Sequence, residues 1–166
     1  DQPRSRGLGD VYKRQAEIEA VKPVIERLKE TGWTFGSHTW GHIRLDSRPL
    51  ESIQRDTVRW QEEVGSLVGP TNILFYPHGG RPDGDDWHST GPAFQYLQSQ
   101  GFRIFASVGI NSFSYIKKDI SAVICDRLHP DGTTLRNGKA LEWYKQFYDA
   151  REIIDLDVRP DLGVTW

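Results

Sequence analysis

Residues 33–42 read WTFGSHTWGH. The aromatic and β-branched run from Trp33 to Ser37 has the character of a short strand, and it ends in a loop carrying His38 and His42. Beyond that loop, Leu50, Ile53, Thr57, Trp60, Val64 and Leu67 step by three and four, while Glu51, Arg55, Asp56, Arg59, Glu62 and Glu63 mostly fall on other faces. This spacing predicts an amphipathic helix over 49–68. After the turn at Gly69-Pro70 comes NILFYP (72–77), a strand of the buried type. Strand, long helix, strand predicts a parallel pair joined by a helical crossover. SHTWGH (37–42) and YPHGGRPDG (76–84) then share the rim at the strands' C-terminal ends, where such folds collect their functional groups.

The alternation continues on both sides. From Ala16, the apolar residues Ile18, Val21, Val24, Ile25 and Leu28 recur at helical spacing, with Gly32 as the stop and Pro23 expected to kink or restart the helix. Downstream, GPAFQYLQSQGF (91–102) predicts a short helix closed at Gly101, and FRIFASV (102–108) a strand. AVICDRL (122–128) predicts another strand, GKALEWYKQFYDA (138–150) a helix and REIIDLDV (151–158) a last strand. Near-continuous apolar strands between helices argue an α/β fold with a helix-covered parallel sheet, and an incomplete (β/α) barrel is the expected architecture. Residues 1–15 have no apolar periodicity, and SRGLGDVYKRQ (5–15) resembles a translated adapter scar. They are expected to be a non-native or disordered tail, with one domain over 16–166.

Composition excludes several classes of function. The chain has 166 residues, 37% hydrophobic and 27% charged, which is globular composition and long enough for one proper core. A net charge of -2 gives no polybasic footprint, so nucleic-acid binding is not expected. No apolar run approaches the length of a membrane span. The single cysteine, Cys125, rules out an internal disulfide framework or a Cys-rich zinc cluster and is expected to be a buried strand residue.

Two histidines so spaced are either a surface or hydrogen-bonded structural pair or part of the ligand set of zinc or a similar borderline metal. The zincin helix is not an option, because Thr39 stands where that motif requires its glutamate.

GWTFGSHTWGHIRLDS (32–47), the long helix after it and NILFYPHGG (72–80) together resemble the polysaccharide deacetylases of the NodB-homology, carbohydrate esterase family 4 type, over about residues 16–160. The resemblance implies that His38 and His42 are metal ligands, the two histidines of the family's H-[ST]-x-x-H motif, with Thr39 helping to hold the loop. It implies a divalent cation, zinc with cobalt or nickel as alternatives, and an acetylated carbohydrate polymer as the partner. An extracellular or cell-envelope location follows from the resemblance alone. Trp40 and Tyr76 are candidate substrate-binding residues, or simply rim and packing residues; Trp87 is a further candidate for stacking on a sugar.

The chain also departs from the family pattern. FYPHGG (75–80) keeps Pro77 and Gly79 of the R-P-P-Y-G motif but has Phe75 for the arginine and His78 for the aromatic. The family's oxyanion donor at that position is a backbone N–H, so His78 remains a candidate through its amide, and Arg81 is a weaker substitute for the arginine. The alternative is a plain Pro/Gly turn. No strand ends in the family's paired aspartates, which supply the base and a metal ligand; Asp10 lacks an apolar strand before it. His129, in RLH (127–129), is a candidate acid or a loop histidine, and His88 is expected to be solvent-exposed. The implied reaction is removal of N-acetyl or O-acetyl groups, with these 166 residues expected to be inactive alone. The competing expectation is a noncatalytic carbohydrate-binding or cell-envelope module on the same scaffold.

Overall fold

The computed structural model describes residues 8–84, 91–108, 114–118, 121–127 and 142. Helix α1 (Leu8–Glu30) leads into the His38 loop, followed by α2 (Leu50–Trp60), a π-helical turn (Gln61–Gly65) and α3 (Ser66–Val68). Then come strand β1 (Ile73–Phe75), α4 (Pro92–Ser99), β2 (Ile104–Val108), β3 (Ser114–Lys117) and β4 (Ala122–Arg127). The sheet order is β1-β2-β4-β3. β1, β2 and β4 run parallel, with Leu74 opposite Phe105 and Phe105 opposite Ile124, and β3 pairs antiparallel with β4. The antiparallel β3 was not legible in the sequence.

The predicted strand over Trp33–Ser37 contracts to a single parallel bridge between Ser37 and Leu74. The Ser37 amide donates to the Ile73 carbonyl (2.9 Å) and the Phe75 amide to the Ser37 carbonyl (2.8 Å). Gly36 explains the close approach: a Cβ there would lie 2.6 Å from the Phe75 ring. Thr71 adds a side-chain tie, its hydroxyl donating to the Phe35 carbonyl (2.7 Å). The parallel relation between the two segments is as expected, with the helical region 50–68 as the crossover.

Alternation within the strands decides what they bury. Leu74 and Tyr76 after it, Phe105, Ala122 and Ile124 pack with Leu45, with Ile53 of α2, with Ala93, Phe94 and Leu97 of α4, and with Phe102. Phe94 and Phe105 stack with ring centres 4.6 Å apart, and burying each such side chain contributes about 1.5–3 kcal/mol. The other face carries the half-buried Ile73, Phe75 and Cys125. Cys125 is therefore half-buried rather than buried as expected. Tyr76, a candidate groove residue in the sequence, is instead 0% exposed and lies in the core, because it continues the inward-facing phase of Leu74. It is not placed to touch a substrate.

Two helices differ from expectation. α1 begins at Leu8, so residues 8–15 are helical rather than a disordered tail. Lys13, Arg14 and Gln15 are good helix formers, and extending an existing helix is far easier than nucleating one. α1 also runs through Pro23 without interruption. α4 is capped from a distance: both carboxylate oxygens of Asp83 accept its first amides, from Ala93 (3.1 Å) and Phe94 (2.9 Å). The expected helix over 138–150, apart from Glu142, and the strand over 151–158 lie outside the described residues, as do Trp87, His88 and His129.

Candidate functional site

Parallel pairing sends the residues after Ser37, after β1 and after β2 to the same edge of the sheet. His38 follows Ser37 directly, and its Nδ1 lies 2.9 Å from the Phe75 carbonyl at the end of β1. A carbonyl only accepts, so Nδ1 carries the proton and Nε2 keeps its lone pair. Burial lowers the His38 pKa below its ordinary value; the charge of Arg127 and the neighbouring His42 and His78 act in the same direction, against the Phe75 bond. His38 is thus a neutral imidazole with a fixed tautomer, the form in which histidine binds a metal.

The loop between the two histidines is held at four points. The Thr39 amide donates to the Ser37 hydroxyl (3.2 Å), and the Ile43 amide donates to the Thr39 hydroxyl (3.1 Å), so Thr39 does hold the loop as the resemblance implied. Asp56, on α2, accepts the amides of Trp40 (2.9 Å) and Gly41 (2.7 Å). Sequence reasoning missed this role, since a carboxylate on an amphipathic helix reads as solvated surface. Thr39 (φ 61°) and His42 (φ 51°) adopt left-handed backbone, which turns the chain sharply enough to bring His42 back toward His38. Their ring centres are 4.8 Å apart at an interplanar angle of 73°.

His78 joins them from the third loop. Its residue is also left-handed (φ 54°), inside a one-turn helix at Pro77–Gly79. The exposed ring stands 4.5 Å from that of His42, at 68°. The turn's own bonds run from the amides of Gly79 and Gly80 to the carbonyls of Tyr76 and Pro77, and the Ser107 hydroxyl donates to the Gly79 carbonyl (3.2 Å), tying the loop over β2. Among the described residues, no group of three or more His, Cys, Asp or Glu side chains is arranged as it stands to hold a metal ion. The His38–His42 pair has the spacing of two positions of such a site, with His38 in the required tautomer.

Trp40 sits at the rim, 41% exposed. Its Nε1 donates to Glu63 (3.0 Å) and the Arg59 guanidinium covers one ring face at 3.4 Å from the centre, so the indole is fixed on the helical crossover with at most its other face for a ligand. Arg81 meets Asp126 at 3.5 Å across the ends of the loop and β4. Arg127, next to it, lies 5.7 Å from the Phe75 ring centre, and burial lowers its pKa. The cleft of about 580 Å³ lined by Trp33, Pro70, Asn72 and Gly101 lies at the opposite, N-terminal ends of the strands.

Residues 11–91 match the family model for polysaccharide deacetylase. This segment is similar to the polysaccharide deacetylases. It spans both histidine loops and the crossover helix, and it begins at Val11, upstream of the expected domain start at Ala16. Comparison with curated proteins and with solved structures gave no match. The matched segment therefore carries His38, His42 and His78 together, in a mixed α/β fold.

Proposed function

We propose that this chain is part of a metal-dependent hydrolase that removes acetyl groups from a carbohydrate polymer. The observation that carries this reading is the pairing of His38 and His42, 4.8 Å apart at a strand end within a segment matching the deacetylase family. The two histidines would hold zinc, or cobalt or nickel, and the bound cation would supply carbonyl polarisation and a water of lowered pKa. His38 contributes a bare Nε2 because Phe75 holds its Nδ1–H. Thr39 and Asp56 keep the intervening loop in shape.

The His78 amide, in a turn whose own bonds use the amides of Gly79 and Gly80, is the proposed donor to the developing oxyanion. Trp40 offers one ring face to a sugar. In this reading the sheet is a sector of a (β/α) barrel whose rim is the site. Because no strand among the described residues ends in paired aspartates, we expect this chain to release little acetate unaided; loss of a general base typically costs about a hundred- to ten-thousandfold in rate.

The test measures acetate released from an acetylated chitooligosaccharide with added zinc or cobalt, by this chain and by a protein extended upstream with a strand ending in two aspartates. Release by the extended protein, abolished by His38→Ala and by chelation, supports the proposal. Metal-independent release, or release indifferent to His38, overturns it. Sugar binding without release by either protein would favour a noncatalytic binding module.

A further inference from the structure

His38, His42 and His78 form a row of imidazoles with successive ring centres 4.8 and 4.5 Å apart and planes at 73° and 68°. A metal–nitrogen bond of about 2.0–2.1 Å puts a ring centre about 3.2 Å from the ion, so imidazoles sharing a tetrahedral ion have centres about 5 Å apart. Both observed spacings lie near that distance. The second is the unexpected one, since the sequence offered His78 for its backbone alone.

We propose that His78 supplies its side chain as a third metal ligand, so that this chain binds a borderline cation through three histidines. The inference rests on the metal-dependent reading above and adds to it the identity of the third ligand. Three observations favour it. The His42 ring contacts both the His38 and the His78 ring, so all three imidazoles share one neighbourhood. His42 and His78 are both exposed and belong to separate loops, so turning about their side-chain torsions to face a common point meets no core packing. The fixed member, His38, is already in ligand form.

Both His42 and His78 are, in addition, non-glycine residues held left-handed, φ 51° and 54°. Backbone held in this region is concentrated at ligand clamps and active sites, where the surrounding structure enforces it. A carboxylate on the third loop's side, Asp46, abuts Gly80 and is occupied by Arg44, whose Nε donates to it at 3.0 Å. A site of three imidazoles carries no negative charge of its own. It therefore selects zinc, cobalt or nickel over magnesium and calcium, which prefer oxygen ligands.

Cobalt and zinc titrations of the 166-residue chain decide the matter, followed by visible absorption of the cobalt form and by X-ray absorption counting of bound imidazoles. His78→Asn is the variant of choice, since asparagine tolerates left-handed backbone; His78→Gly serves the same end if Asn fails to fold by circular dichroism. We expect one ion per chain, three imidazoles, and about a ten- to hundredfold loss of affinity in His78→Asn with a weaker cobalt spectrum and unchanged fold. Wild-type binding with two imidazoles, and affinity within twofold in the variant, overturns the role of His78 while leaving the His38–His42 site standing. If the folded wild-type chain takes up no ion, and His38→Ala and His42→Asn behave like it, the metal-dependent reading falls and this inference with it.

Discussion

His38 is constrained from two sides, by the Phe75 carbonyl on Nδ1 and by the burial and neighbouring charge that disfavour its cation. In metal-free protein its ring should titrate below the ordinary value of 6.5, and Arg127→Gln should move the midpoint up. Because the folded pKa is the lower one, the unfolded chain binds more protons between the two values. The stability His38 contributes is thus fully present above about 6.5 and lost as pH falls toward the lowered folded value. Proton NMR of the imidazole across that range tests the direction, and a midpoint at or above 6.5 would contradict it. Asp56 is the second residue to test. Asp56→Ala removes the acceptor of the Trp40 and Gly41 amides and frees the turn between the histidines. We expect about 1–3 kcal/mol lower stability in denaturant titration and about tenfold weaker cobalt binding, as for other residues that orient ligands. Unchanged cobalt affinity would show that the loop keeps its shape without α2.

The bridge at Ser37 is the smallest element of the fold and the one on which the site depends, since His38 follows it and bonds the carbonyl of Phe75. Gly36→Val should push the Phe75 ring aside or open the bridge, given the 2.6 Å approach already facing a Cβ and the Ile73 side chain at 3.1 Å. Overpacking of this kind costs about 1–3 kcal/mol, and the melting temperature together with the His38 titration reads it; a variant as stable as the parent would mean that the bridge is dispensable. Elements with a strong period were legible in the sequence. The stripe from Leu50 to Leu67 gave the crossover region, and NILF, FRIFASV and AVICDR gave β1, β2 and β4. Trp33–Ser37 looked like a strand by composition, but its pairing extends to one residue beside Gly36. Neither β3 nor the upstream growth of α1 to Leu8 has an apolar pattern that marks it.

For the whole molecule, the sheet and α1 should differ in how readily they open. The Tyr76 amide donates to Ala106 (2.8 Å) and the Val123 amide to Arg103 (2.8 Å) within a core of buried aromatics. α1 buries Ile25, pairs Arg14 with Glu63 and leaves Val21 and Val24 exposed. Hydrogen exchange should therefore be at least about tenfold faster along α1 than along β2, because few buried contacts resist local opening; equal protection would show that α1 opens only with the whole fold. The grouping of the candidate residues was legible to the same degree as the fold. His38 and His42 stand out by spacing and family resemblance, whereas the approach of His78 and the grip of Asp56 come from parallel pairing and from left-handed turns that no residue type announces. Those turns carry a consequence for any selection by heat alone. Thr39, His42 and His78 each hold a backbone shape that costs a residue other than glycine about 1 kcal/mol or more. Survivors of a thermal screen would accumulate glycine or asparagine at these positions, gaining melting temperature as they shed the imidazoles, so the hardiest library members would be those from which the proposed chemistry had been erased.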